Sequence, residues 1–195
     1  MINKKKRSGA AGILIAIIAV IVIALVMIVP THNRLAESRE NVNQAYAQVQ
    51  NVVQRRADLI PNLVNTVKGY TDHESETLKE VTKARSNIQD AKGPEELAQA
   101  NQELSEAIKN INVVVESYPE LKADTQFVQL MDELAGSENR ISTERKNYNE
   151  AVQAYNTDIK KFPTNLVAKI TGYQVAEYFE ADASAQDAPT VDFGN

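Results

Sequence analysis

Residues 10–29 read AAGILIAIIAVIVIALVMIV, twenty apolar or small residues directly behind Lys4-Lys5-Lys6-Arg7. The run holds no charge, amide or hydroxyl. As a helix it is roughly 30 Å long, the thickness of a bilayer's hydrocarbon core. A cleaved signal peptide has a shorter apolar core, about 7 to 15 residues, and ends in a small-x-small site. This run exits instead through Val29-Pro30-Thr31-His32-Asn33. It therefore reads as an uncleaved transmembrane anchor. Four adjacent cations precede it, whereas Arg34 and Arg39 after it are interleaved with Glu37 and Glu40. Basic flanks stay on the cytoplasmic side, so the expected topology is N-in, C-out.

The rest of the chain is acidic. Beyond the anchor, 17 basic residues face 26 acidic ones, a net of −9. That disfavours nucleic acid as a partner, which needs a basic face. It also disfavours a body lying flat on anionic lipid. There is no cysteine, so disulfides and thiolate metal sites are excluded.

Glycine and proline are scarce and act as punctuation. Gly69 precedes Thr71-Asp72-His73-Glu74, a capping-box pattern. Gly93-Pro94 pairs a helix stop with a helix start. Tyr118-Pro119 and Phe162-Pro163 interrupt again. Four helices follow, at about 32–69, 72–91, 94–117 and 124–162. Two of them carry a strict seven-residue stripe: Leu35, Val42, Val49, Arg56, Leu63 and Tyr70, then Phe127, Leu134, Ile141, Tyr148, Tyr155 and Phe162. Such a repeat builds a narrow, coiled-coil-like seam. The expected fold is all-α: the anchor, then an antiparallel up-down four-helix bundle with two long and two shorter helices. The domains read as a basic cytoplasmic tail (1–9), the transmembrane helix (10–29), the bundle (30–181) and a disordered polar tail (182–195). Asn165–Ile170 reads as a short amphipathic helix docking near the membrane-proximal end, with Lys160 and Lys161 beside it.

Charged residues interrupt the seams at Arg56 on one helix and at Glu138 and Arg145 on the other. In an antiparallel pair, position 138 lies level with about 58. The candidate site is therefore a structural ion network of Arg55, Arg56, Asp58, Glu138 and Arg145, able to set helix register. The alternative is that these side chains extend to solvent along their apolar stems. Pro61 removes one helical hydrogen bond, freeing the carbonyl near Ala57.

No catalytic set is visible, nor a Gly-rich phosphate loop. The Arg55-Arg56 and Arg140, Arg145 groups could cradle an anion, but structural ion pairing is the simpler role. His73 sits among Asp72, Glu74 and Glu76, in the order His-x-x-Glu rather than the Glu-x-x-His of di-iron bundles. Those acids suit a helix N-terminus. No enzyme activity, cofactor or metal is expected.

Two longer motifs carry a resemblance. One is Gln54-Arg55-Arg56-Ala57-Asp58-Leu59-Ile60-Pro61-Asn62-Leu63, continuing through Gly69-Tyr70 to Thr82-Lys83-Ala84-Arg85. The other runs from Tyr118-Pro119-Glu120-Leu121 through Glu138-Asn139-Arg140-Ile141, Tyr148-Asn149 and Tyr155-Asn156 to Phe162-Pro163-Thr164-Asn165-Leu166, with Tyr178-Phe179-Glu180-Ala181 behind. Over about residues 32 to 193 the chain resembles the LemA family. His32 and Tyr46 stand where that family often has other aromatics. The resemblance implies a bacterial membrane-anchored helical bundle and no reaction. The functional expectation is a non-enzymatic scaffolding or interaction module on the outer face of the cytoplasmic membrane, with a protein partner or self-association. The alternative is an accessory subunit of an envelope protease or transporter.

Overall fold

The computed structural model describes residues 5–71 and 75–179. Among these the chain is all helix, turn and coil, with no strand. Six helices follow in order: α1 (Lys5–Lys68), α2 (Ser75–Asp90), α3 (Pro94–Val115), α4 (Pro119–Lys122), α5 (Thr125–Lys160) and α6 (Thr164–Thr171).

The short separation around Pro30 between the anchor (10–29) and the first bundle helix (from about 32) is absent: α1 is one helix of 64 residues. Its stretch past residue 12 is long and apolar enough to cross a membrane, with a window of mean hydropathy 3.5. The large side chains from Ile13 to Val29 stand exposed, apart from half-buried Ile28. A soluble protein would bury such a surface. From Leu35 on, α1 changes character. Leu35, Val42, Val49 and Leu63 are buried, as are Val53, Ile60 and Val67 one turn offset.

The helix ends follow ordinary chemistry. The Gly69, Tyr70 and Thr71 amides close α1 by bonding back to carbonyls of residues 65–67. The expected capping box and His73 lie outside the described residues, as do most of the tail and residues 1–4. Gly93 has φ +94°, which only glycine adopts freely, and Pro94 starts α3 with Glu95 and Glu96 in its first turn. The α2–α3 hairpin buries Leu78, Val81 and Ile88 with Leu97, Leu104 and Ile108. At α5, Asp124 caps the N-terminus: the Phe127 amide donates to its Oδ1 at 2.8 Å. The Tyr70 hydroxyl donates to Oδ2 at 2.9 Å. These two bonds, the amide first, hold the Asp124 carboxyl below its ordinary pKa, and the same bond raises that of Tyr70.

The chain divides into two compact units. One comprises the described residues up to Asn41 with Gln153–Ala176; the other comprises Val42–Val152 with the described residues from Glu177. In the second, α1, α2, α3 and α5 bury the apolar stripes just named. In the first, Tyr155, Ile159, Val167 and Ala168 are buried with Leu35. Two stripe residues depart from expectation. Tyr70, past the end of α1, is 40% exposed. Phe162 stands 78% exposed, because α5 ends at Lys160 and the chain turns before the seam's last step.

Candidate functional site

In the second unit, α1 carries Arg56 on its buried stripe between Val49 and Leu63, and the residue is only 4% exposed. Burying a guanidinium is costly unless its donors are met. Its Nη1 contacts Glu138 Oε2 at 2.5 Å, Asn101 Oδ1 at 3.0 Å and Ser105 Oγ at 2.8 Å. The Ser105 hydroxyl proton is within reach of two acceptors, the Asn101 carbonyl at 3.0 Å and Glu138 at 3.4 Å. The Nε of Arg56 is buried without a partner. Desolvation lowers the Arg56 pKa, and the Glu138 carboxylate opposes that shift. The Glu138 side chain is 41% exposed, so the pair is dry at the cation and wet at the anion.

One turn on, the proline's missing amide is answered. With no N–H on Pro61, the Ala57 carbonyl lacks its helical donor. Arg85 of α2 supplies one, its Nε donating to that carbonyl at 3.2 Å. Two arginines thus bind α1 to α2 and, through Arg56, to α3 and α5.

Of the five candidate network residues, Arg56 and Glu138 form the ion pair. Arg55 and Asp58 are exposed, Asp58 accepting a bond from Gln54 at 2.8 Å. The guanidinium of Arg145 lies 5.1 Å from the centre of the Phe179 ring, a cation–π distance. Asn101 and Ser105, which complete the cluster, come from α3, whose interior positions carry no charge to mark them. Among the described residues no group of three metal-ligating side chains gathers. Two shallow grooves of about 230 and 360 Å³ lie in this unit. Asn87, Glu96 and Glu103 line one; Asn62, Gln126 and Glu133 line the other.

A second arrangement was not read from the sequence. Beyond α6 the chain is extended, and α5 holds it by its backbone. Asn156 donates to the Ala176 carbonyl at 2.8 Å and accepts from the Ala176 amide at 2.7 Å. Tyr155 donates to the Gln174 carbonyl at 2.8 Å. In the second unit the same pair of residue types recurs. Asn149 donates to the Phe179 carbonyl at 3.0 Å and accepts from its amide at 2.9 Å, while Tyr148 donates to the Glu177 carbonyl at 2.7 Å. Each asparagine meets both polar groups of one residue, as a neighbouring β-strand would. The signal was the repeated Tyr-Asn at a spacing of seven. Seven helical residues rise about 10.5 Å and three extended ones about 10 Å, so the repeat keeps step with the chain it grips. Burial raises the Tyr155 pKa, and Arg39, 5.5 Å from the ring centre, opposes the shift.

Residues 45–193 match the LemA family. The chain belongs to it. Relatives match over most of the chain. Protein LemA of Metamycoplasma hominis is 29% identical over 168 residues, covering 84% of this chain and 75% of that protein. Magnetosome protein MamQ 2 of Paramagnetospirillum magneticum is 25% identical over 221 residues, covering 98% and 81%. MamQ of Magnetospirillum gryphiswaldense is 23% identical over the same length. The LemA match includes Arg56, Glu138 and both Tyr-Asn clamps.

Proposed function

We propose that this LemA-family chain is a non-enzymatic, membrane-tethered scaffolding or interaction protein of the bacterial envelope. It crosses the cytoplasmic membrane once, N-in, and carries its helical part outside as an antiparallel up-down four-helix bundle. The observation that carries this reading is α1 itself. One unbroken helix is apolar from Ile13 to Val29, its large side chains there exposed apart from half-buried Ile28, and is lined with a buried seam from Leu35. An anchor continuous with a packed helix suits a platform better than a loosely tethered enzyme. The Arg56–Glu138 pair with Asn101 and Ser105 serves as a register device, since only one alignment of the helices satisfies that buried cation. Kinship with proteins as differently named as LemA and MamQ favours a general module over one dedicated reaction.

Topology is tested with single cysteines, because the chain has none of its own. Exposed Ser142→Cys should react with an impermeant maleimide in intact spheroplasts, and Ser8→Cys only after permeabilisation. The reverse pattern overturns the orientation. The partner is sought by crosslinking the full chain in native membranes and identifying what is captured. Self-crosslinks or varied partners support the platform. One membrane complex at fixed stoichiometry establishes the alternative, an accessory subunit of an envelope protease or transporter.

A further inference from the structure

Phe162 breaks the burial rule of its own stripe, and it does not do so alone. Leu166 and Ile170, four apart on α6, are 51% and 73% exposed, so large apolar side chains stand open along one edge of α6, and Phe162 stands open in the turn before it. The opposite edge is satisfied: Thr164, Val167 and Ala168 are buried. An eight-residue helix apolar on both sides is made for two different surroundings.

Its level along α1 identifies the second. Arg34 donates to the Thr164 hydroxyl at α6's first residue, at 2.9 Å. The His32 ring lies 5.7 Å from that of Tyr173, just past its last. Residues only two apart on α1 thus hold both ends of α6, so α6 crosses α1 more than it follows it. Val29 closes the apolar run three to five residues earlier, about 4.5 to 7.5 Å along the helix. That is the depth of the headgroup layer, where interfacial helices lie. The charges fit as well. Lys160, Lys161 and Lys169 are exposed around the stripe. The nearby acid, Asp158, is engaged by Arg34 at 3.8 Å and Lys161 at 3.3 Å. In a chain of net charge −5, this patch is locally basic.

We propose that α6 and the turn before it dock into the headgroup region of the bilayer that α1 spans. Phe162, Leu166 and Ile170 enter the acyl boundary, and the three lysines reach anionic lipid phosphates. This rests on the anchoring reading above. It adds a second membrane contact beside the anchor's exit.

The chain contains no tryptophan, so one introduced indole reports its own surroundings. Full-length Phe162→Trp, Ile170→Trp and, as anchor control, Ile21→Trp are reconstituted in vesicles of phosphatidylcholine with phosphatidylglycerol. Quenching is read with lipids brominated near the headgroup or deep in the chain, and with aqueous iodide. Ile21→Trp should be quenched by the deep bromines. Phe162→Trp and Ile170→Trp should be quenched by the shallow ones and shielded from iodide, with loss of that quenching when Lys161→Gln and Lys169→Gln are added. If Ile21→Trp is quenched while both other indoles stay iodide-accessible and unquenched, α6 docking is overturned and the anchor stands. If Ile21→Trp escapes quenching, the anchoring reading itself falls, and docking with it.

Discussion

Two regions of this chain break the inside-apolar, outside-polar rule in opposite senses. At Arg56 a cation is 4% exposed among apolar seams. At Phe162, Leu166 and Ile170 large apolar side chains stand in the open. The first violation is answered within the protein: a carboxylate, an amide and a hydroxyl meet the guanidinium. The second finds no cover among the described residues, and the proposed membrane contact supplies one. A buried charge that finds its partners inside speaks of architecture. An exposed apolar stripe that finds none speaks of an environment.

That contrast is broken most forcefully at Arg56. Arg56→Ala empties its site, strands Asn101 and leaves Glu138 to solvent, and should cost about 3 kcal/mol in denaturant unfolding of the full chain in detergent. Glu138→Leu alone should also destabilise, because it leaves the cation buried with neutral partners only. Arg56→Leu combined with Glu138→Leu should return to within about 1 kcal/mol of the parent, as apolar replacements of buried pairs do. If the double variant is as unstable as the sum of the singles, the pair is not one unit.

The clamps come next. Asn156→Ala strands both the amide and the carbonyl of buried Ala176 and should cost about 2 kcal/mol. Tyr155→Phe removes one bond, to the Gln174 carbonyl, and should cost about 1 kcal/mol. Hydrogen exchange at the Ala176 amide separates the two, rising sharply only in Asn156→Ala. Equal exchange in both would mean the asparagine does not hold that strand.

A smaller, pH-dependent effect belongs to Asp124. Its folded pKa lies below the ordinary 3.8, so its contribution is fully present above that value and is lost as pH falls through the lowered one. Asp124→Asn should melt lower than the parent at neutral pH, and the two curves should converge in acid. Tyr70→Phe removes one of the two bonds that hold the carboxyl down and should shift the convergence upward. Parallel curves across the range would show that the cap's charge is idle.

The legible parts of the fold were those with a period or a punctuation mark. Seven-residue stripes marked the buried faces of α1 and α5, and Gly93-Pro94 and Tyr118-Pro119 marked true helix limits. The few residues around Pro30 set between the anchor and the first bundle helix are helical, since a proline within a helix costs one hydrogen bond and need not end it. Phe162 misled because a stripe counts positions and cannot see that the helix has already stopped at Lys160. Arg56 stood out as the charged break in an apolar series. Asn101 and Ser105 did not, because neutral polar residues inside a helix carry no such mark. The backbone clamps were hidden because the gripped chain has no side-chain pattern: asparagine reads the peptide unit, which every residue shares.

The weakest effect on stability is the sharpest on the comparison. Leu166→Ser with Ile170→Ser removes two exposed apolar side chains that touch little protein. In detergent the unfolding free energy should move by about 0.5 kcal/mol or less, as surface changes do. If Leu166 and Ile170 were instead packed in the core, the same pair would cost several kcal/mol, as deleting buried leucine and isoleucine does. A near-silent melt means the stripe contributes nothing to the folded interior, so its apolarity must be spent elsewhere. Such a result fits the proposed docking, in which membrane lipid receives these apolar side chains beside the anchor's exit.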